Sequence, residues 1–308
     1  MSEHTPKGGL VAFISVRIAA SCAIVAVALL LASVPVAPAS ADYISSQLGA
    51  AGNWALLEVG TGSVTMMTGG SVTGNVGIAG GSFNFSGGAI NGIADLGTGV
   101  TFTQTGGSIT DGINRGIPLA SDVTAALGAS TMFANLAPTQ SVPGNQISGT
   151  TTINLASGVN VIAVSGITLG GVLTLNGPAG SQVVLNDSGS MTLTGGQIVL
   201  TGGLTANDVV FNDTGTGNVM MTGGVLDGTI LAPNTSVTMT GGVLNGEIVG
   251  GQSISLTGGQ VVDAPRGAPG PVIGAGLPAF ALLGGGLLFA RRLRRRAEGG
   301  QLTAPASP

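Results

Sequence analysis

The sequence predicts an all-β chain that winds as a solenoid of short strands with one accompanying α-helix, and three observations support this. A glycine-rich phrase recurs about every 18 residues, a spacing that suits one coil of three strands and is too short for a pair of helices. Apolar and hydroxyl residues alternate before several copies of the phrase. Charged and aromatic residues make up only 7% and 3% of the chain, as a narrow interior requires.

The repeated phrase is Thr-Gly-Gly. Residues 223–230 and 241–248 show the repeat best, since Gly-Gly-Val-Leu-Asp-Gly-Thr-Ile is followed by Gly-Gly-Val-Leu-Asn-Gly-Glu-Ile. Paired glycines predict a sharp corner between strands, because such corners need φ values that a Cβ penalises. The phrase begins at Thr68, Thr105, Thr194, Thr201, Thr222, Thr240 and Thr257, with a Ser-Gly-Gly variant at Ser86.

The strand before each copy has two chemically different faces, because side chains alternate along a strand. Aligned on Thr-Gly-Gly, the inward set is Met191/Leu193, Val219/Met221, Val237/Met239 and Ile254/Leu256. The outward set is mostly hydroxyl, with Asn218 and Met220 as interruptions. In the first half of the chain the same alignment places Gln104 inward and Met66 outward. The candidate binding face consists of Thr192, Thr194, Thr238, Thr240, Ser255 and Thr257.

One segment has helical rather than strand periodicity. Apolar residues at 119, 123, 126, 127, 133 and 136 predict an amphipathic helix over about 119–137. Ser121 is the predicted N-cap and Pro138 the stop. We expect this helix to lie along one face or at one end of the solenoid.

Both ends of the chain resemble targeting segments. Residues 1–41 predict a secretory signal peptide, with Lys7 and Arg17 before an apolar run and Ala39-Ser40-Ala41 as the cleavage site. The solenoid domain then occupies 42–264, and a Pro/Gly linker follows at 265–271. The uncharged stretch 272–290 is long enough for a membrane helix, and the basic tail 291–308 would stay cytoplasmic. The cluster in that tail is Arg291, Arg292, Arg294, Arg295 and Arg296.

The predicted domain is strongly acidic, with eleven Asp or Glu residues and a single basic residue, Arg115. This balance excludes nucleic acids and heparin-like polyanions as partners, since binding them needs Lys and Arg. The domain also has no histidine, cysteine or lysine. Ser/His/Asp and Cys/His triads and His- or Cys-based metal sites are therefore excluded, and no cofactor or metal is predicted.

Carboxylate chemistry is the one catalytic option that the residue inventory leaves. Asp187 and Asp213 both occur in Asn-Asp-Ser/Thr-Gly and form the obvious pair for a glycosidase, which needs two facing carboxylates. The turn interpretation of this motif is favoured over catalysis or calcium binding. We therefore predict no catalytic residue.

Several segments resemble a known family. The stretches 180–189 and 207–213, followed by Asp227-Gly-Thr-Ile-Leu-Ala-Pro-Asn and Leu244-Asn-Gly-Glu-Ile-Val, are similar to the ice-binding-like adhesive domain of bacterial choice-of-anchor A surface proteins. The segment Leu48-Gly-Ala-Ala-Gly-Asn-Trp-Ala-Leu-Leu resembles the start of the related ice-binding β-helix family. The resemblance implies a right-handed parallel β-helix with an accompanying helix, exported and held at the cell surface, with adhesive or ice-binding roles among relatives.

The C-terminal segment resembles PEP-CTERM sorting tails of Gram-negative bacteria, although Pro269-Gly270-Pro271 stands where those tails have Pro-Glu-Pro. The leading hypothesis is thus an envelope-anchored, non-catalytic structural or adhesive protein that binds polysaccharide, matrix protein or other cells. Ice binding through the Ser/Thr face is the first alternative. A carboxylate-based polysaccharide-active enzyme is the second.

Overall fold

The computed structural model describes residues 42–263, which wind as a solenoid of three parallel sheets with nine strands each. This confirms the all-β solenoid and the accompanying helix. The predicted signal peptide and everything from the linker onward lie outside the described residues. Within 42–263, no helix combines the length and the apolar character that crossing a membrane requires.

Three successive strands, one from each sheet, make one coil. Sheet A contains β1 (Leu56–Glu58), β4 (Val76–Ile78), β7 (Ala94–Leu96), β10 (Ile113–Arg115), β13 (Gly158–Val164), β16 (Ser181–Asp187), β19 (Val209–Asp213), β22 (Thr229–Ala232) and β25 (Ile248–Gly250). Sheet B contains β2 (Ser63–Met66), β5 (Ser82–Phe85), β8 (Thr101–Gln104), β11 (Ile147–Ser148), β14 (Ile167–Leu169), β17 (Met191–Thr194), β20 (Val219–Thr222), β23 (Ser236–Thr240) and β26 (Ser253–Thr257). Sheet C contains β3 (Ser71–Thr73), β6 (Ala89–Asn91), β9 (Ser108–Ile109), β12 (Thr151–Asn154), β15 (Val172–Asn176), β18 (Gln197–Thr201), β21 (Val225–Asp227), β24 (Val243–Asn245) and β27 (Gln260–Val262). The helices are α1 (Tyr43–Leu48) and α2 (Ala120–Ala134), with 3-10 turns at Gly49–Asn53, Pro143–Asn145 and Ala206–Asp208.

The order of coils along the solenoid differs from their order in the chain. Sheet B runs β11-β14-β17-β20-β23-β26-β2-β5-β8, and the other two sheets follow the same scheme. The last coil of the chain therefore packs on the first one, with β26 pairing to both β23 and β2. Likewise, β27 pairs with β24 and β3, and β1 pairs with β25 and β4.

This arrangement requires a long connection between the two blocks of coils. The chain leaves β10 at one edge of sheet A and next forms regular strands at the opposite edge, eight strand spacings or about 38 Å away. Helix α2 covers a large part of that distance, about 22 Å at 1.5 Å per residue. It packs against β16, β19 and β22 on the outer face of sheet A.

Two buried layers result. The first is the interior of the solenoid, and the second lies between sheet A and the helices. In the second layer Asn212 donates from Nδ2 to the carbonyl of Ser130 (3.0 Å) and to Oδ1 of Asn186 (2.8 Å), and it accepts from the Ser130 hydroxyl (2.7 Å). Asn186 donates to the Phe133 carbonyl (2.7 Å). This chain of hydrogen bonds satisfies the buried amides and holds α2 on the sheet.

Two predictions about the helix need correction. Ser121 is not the N-cap, because the helix begins at Ala120 and Ser121 lies in its first turn. Leu119 occupies the cap position and makes no side-chain capping bond. Leu127 does not face the core and is 41% exposed. The buried face is instead formed by Ala126, Ala129, Ser130 and Phe133, since small residues let the helix lie close to the strands.

The inward positions predicted for the C-terminal coils are confirmed, and all eight side chains are at most 2% exposed. The prediction for Met66 is wrong: Met66 pairs with Leu256, points inward and is fully buried. The cause is one extra residue, Met67, between this strand and its Thr-Gly-Gly corner; Met67 is 44% exposed. Gln104 does occupy an inward position beside Phe85, but β8 is an edge strand and leaves it exposed.

Glycines form the corners as the sequence predicts. Gly241 and Gly242 have φ values of 82° and 85°, in the region that other residues rarely adopt. Other glycines are required because successive coils come very close. A Cβ on Gly251 would lie 1.7 Å from the carbonyl oxygen of Pro233 in the neighbouring coil.

We predict that Gly251→Ala destabilises the domain by about 3 kcal/mol. The added Cβ would collide with the backbone of Pro233, which cannot move aside as a flexible side chain could. Gly128→Ala is the matched control. Gly128 lies in α2 with nothing within 4 Å of an added Cβ, so this substitution should stabilise the domain by about 0.5–1 kcal/mol. Urea unfolding measures both, and equal effects at the two positions would contradict the close packing of coils.

Candidate functional site

The outer face of sheet B is a continuous array of small polar side chains, which we call the hydroxyl face. Its central column follows the strand register from β14 to β8, and shorter columns flank it on both sides. The central column is Thr168, Thr192, Met220, Thr238, Ser255, Thr65, Asn84 and Thr103. The flanking positions are Ser236, Ser253, Ser63, Ser82 and Thr101 on one side, and the pairs Thr194–Thr222 and Thr240–Thr257 on the other.

All six residues that the sequence proposes for binding lie on this face. Thr192, Thr238 and Ser255 belong to the central column, and the remaining three belong to the flanking pairs. Met220 separates Thr192 from Thr238 and is 45% exposed, so the predicted interruption is present.

Sequence reasoning missed the part of the face that the N-terminal coils supply. Thr65 pairs with Ser255, and Asn84 and Thr103 continue the column. Alignment on Thr-Gly-Gly assigned Thr65 to the inward face. The extra residue Met67 shifts that strand by one position relative to the glycines, which exchanges its inward and outward residues. Alternation counted from Val64 would have found it.

The geometry of the face follows from strand stacking. Neighbouring members of a column are about 4.8 Å apart across strands, and residues i and i+2 are about 6.7 Å apart along a strand. The Ser253 hydroxyl donates to the Ser236 hydroxyl across one such step, at 2.9 Å. The result is a flat lattice of hydroxyl and methyl groups with two regular spacings.

The hydroxyl face is also electrically neutral. The nine strands of sheet B contain no Asp, Glu, Lys, Arg or His, although the domain around them is acidic. Sheet A is covered by the helices over the middle of its outer face. Sheet C is open but chemically different, since its outward residues include Val172, Val225, Val243, Val262 and the carboxylate of Asp227. Sheet B is therefore the open sheet whose outer surface is mostly Ser and Thr and carries no charge, with Met220 as an apolar interruption.

Asp187 and Asp213 are brought together, but inside the solenoid. They are register partners at the ends of β16 and β19, where the chain turns from sheet A to sheet B. Each Oδ1 accepts a hydrogen bond from the glycine N–H two residues later, at 2.9 Å for Gly189 and 3.0 Å for Gly215. This is the contact that the turn interpretation predicts.

The environment of the pair does not suit hydrolysis of a polymer. The two side chains are 2% and 3% exposed, so no glycan reaches them. Burial raises the pKa of Asp187, and the nearby charge of Asp213 adds to the shift, while the Gly189 hydrogen bond opposes it. Burial also raises the pKa of Asp213, against opposing hydrogen bonds from Thr235 and Gly215.

Other surface features of the described residues carry little chemistry. A shallow depression on the solvent side of α2 has no titratable side chain in its lining, which consists of Thr124, Leu127, Gly128, Thr131, Met132 and Asn135. Within 42–263, His, Cys, Asp and Glu residues do not gather in groups of three or more that could hold a metal.

The fold defines the class of the protein: a three-sheet parallel β-solenoid with a helix packed along one sheet. The chain belongs to the family of ice-binding-like adhesive domains, whose family model matches residues 39–262. A search of the curated proteins finds no match.

Solved structures with a similar fold include ice-binding proteins. The DUF3494 domain of Shewanella frigidimarina ice-binding protein 1 is 20% identical with a TM-score of 0.53, over 71% of this chain and 97% of that one. The glycosylated ice-binding protein LeIBP from an Arctic yeast is 19% identical with a TM-score of 0.52, over 72% and 95%. The ice-binding protein of the Antarctic ascomycete Antarctomyces psychrotrophicus is 21% identical with a TM-score of 0.50, over 71% and 98%. At these identities the likeness establishes the fold.

We predict that Thr238→Tyr combined with Thr240→Tyr leaves the free energy of unfolding within about 0.5 kcal/mol of wild type, because both side chains point outward and tyrosine suits an exposed strand. Urea denaturation followed by circular dichroism measures the change. A loss of several kcal/mol would mean that these hydroxyls stabilise the fold and are not free for a partner.

Proposed function

We propose that residues 42–264 form a non-catalytic structural or adhesive module that binds a large, flat partner through the hydroxyl face. The observation that carries the proposal is the in-register column of Thr and Ser across sheet B, free of charge and left uncovered by the helices. Hydroxyls at two fixed spacings make many weak contacts with a repetitive partner and need no deep pocket. Membership of the ice-binding-like adhesive family supports this function.

We further propose that the domain is exported and held at the envelope of a Gram-negative bacterium, or secreted after processing of its tail. The sequence of residues 1–41 supports export, and the apolar stretch 272–290 with its five following arginines supports anchoring. Polysaccharide, matrix protein and neighbouring cells are the partners that such a location brings within reach. Pro269-Gly270-Pro271 and the arginine cluster are the proposed sorting elements.

The test of the binding face measures retention of purified 42–264 on arrays of glycans and matrix proteins and on ice, in parallel. We expect Thr238→Tyr/Thr240→Tyr to lose at least tenfold in affinity for whichever target retains the wild type, because two bulky rings break the flat lattice. The matched control is Thr152→Tyr/Thr174→Tyr, two outward threonines paired across sheet C, which should bind normally. Equal loss in both variants would remove the hydroxyl face from the proposal.

The anchoring proposal has its own test. Truncation after Ala264 should release the protein from the envelope into the medium, because it removes the apolar stretch and its arginines. Fractionation with an antibody against the domain measures the distribution. An unchanged distribution would show that the tail is not the anchor.

Ice binding is the second candidate, and the flat hydroxyl-methyl lattice is the observation that favours it. An ice-binding face would order water at regular spacings, and Met220 interrupts the regular column. On this hypothesis the wild type produces faceted ice crystals, Thr238→Tyr abolishes the faceting and Met220→Thr strengthens it. Round ice crystals at millimolar protein would eliminate this candidate and leave adhesion in place.

A further inference from the structure

Three inward-pointing carboxylates lie at the corner where the chain passes from sheet A to sheet B. Glu58 ends β1, Asp187 ends β16 and Asp213 ends β19, and all three are at most 3% exposed. Burial raises the pKa of all three carboxyls, and they differ in the number of hydrogen bonds that oppose this shift.

Glu58 has a complete set of donors. Its Oε1 accepts from the N–H groups of Gly60 (2.8 Å) and Gly62 (3.2 Å), and its Oε2 accepts from the N–H of Gly80 (3.2 Å). Asp213 accepts from Gly215 at one oxygen and from the Thr235 hydroxyl (2.7 Å) at the other. Both side chains therefore have a donor for each oxygen, as a buried carboxylate requires.

Asp187 does not. Its Oδ1 accepts from Gly189, but its Oδ2 is buried and has no hydrogen-bond partner in the structure. The register places Asp213 on the adjacent strand, about 4.8 Å away along the stack. A second negative charge at Asp187 would face that carboxylate in the buried interior without a donor at Oδ2, which is the costly arrangement for an ion.

We propose that Asp187 and Asp213 hold one proton between them, carried on Oδ2 of Asp187 and donated to the Asp213 carboxylate, and that loss of this proton loosens the corner. The proton turns the orphan oxygen of Asp187 into a donor and removes the repulsion between the two groups. The corner leads directly into β17 and β20, which carry part of the hydroxyl face.

Among residues 42–263, no other charged group faces the pair closely. Val164 is the inward neighbour of Asp187 on β13, and Ala232 occupies the next inward position beyond Asp213 on β22. Glu58 lies three strand spacings beyond Asp213 in the same column, about 14 Å away. The turn residues around the pair are Ser and Thr, so the two carboxyls titrate chiefly against each other.

The sign of the pH dependence follows from the raised pKa values of both groups. A carboxyl whose folded pKa lies above its unfolded value binds more protons in the folded state. Its stabilising contribution is complete below the unfolded value, 3.8 for Asp, and is lost as the pH rises through the folded pKa. The slope for one proton is a tenfold rise in the unfolding equilibrium constant per pH unit.

The experiment compares the full-length protein with Asp187→Asn from pH 4 to pH 9 by thermal unfolding and infrared spectroscopy. The amide retains the acceptor for Gly189 and supplies a permanent donor in place of Oδ2, so the variant should fold. We expect the wild-type unfolding constant to rise by up to tenfold per pH unit over the titration of the pair, and Asp187→Asn to lose this slope. The control Asp111→Asn changes an exposed aspartate and should retain it.

The infrared measurement tests the proton itself. The C=O stretching band of a protonated carboxylic acid should persist in the wild type at pH values well above 3.8 and lose intensity in Asp187→Asn. Burial also raises the pKa of Glu58, so the difference between the two spectra is the quantity that reports the proton on the pair. Asp213→Asn should be less stable than wild type, because its NH2 group replaces one of the two oxygens that accept from Gly215 and Thr235. Absence of the band would overturn the proposal, as would a wild-type slope that Asp187→Asn retains or a midpoint that a chelator shifts, which would indicate a bound cation.

Discussion

Parallel pairing between successive coils is the interaction on which every other feature of this domain depends. Each coil has too few residues for a core of its own, so its inward side chains are buried only against the coils on either side. Pairing in strict register turns each position into a column that runs along the solenoid, such as Ile254 between Val237 and Val64. Apolar columns form the core, hydroxyl columns form the outer face of sheet B, and glycine columns form the corners.

The same constraint explains the path of the chain. The two blocks of coils meet where β26 pairs with β2, and this requires a connection that crosses the whole stack. Helix α2 provides it and covers sheet A in doing so, held by the amides of Asn186 and Asn212. Sheets B and C remain open, and of these only sheet B lacks charge in every strand. The position of the candidate face is thus a consequence of where the connection runs.

A narrow interior also controls where charge is tolerated. Glu58 and Asp213 are buried because backbone N–H groups or a hydroxyl at the corner meet both of their oxygens. These carboxylates satisfy donors that a tight turn would otherwise leave unpaired, so they have a structural reason to be there. The acidic pair that suggests a glycosidase is part of this corner. A pair of buried carboxylates at this corner is therefore not by itself evidence of catalysis.

The sequence by itself determined the solenoid, the length of its coils, the inward and outward faces of the C-terminal strands and the glycine corners. These depend on local periodicity and on the φ values that glycine permits, and both are visible in the order of residues. The tertiary structure alone decided the order of coils, the inward turn of Met66, the extension of the hydroxyl face through Thr65 and Asn84, and the burial of Asp187 and Asp213 inside the corner. These features depend on which strands become neighbours. Strands from opposite ends of the domain pair through backbone hydrogen bonds, and because every residue type offers the same backbone groups, the order of residues does not reveal the partners.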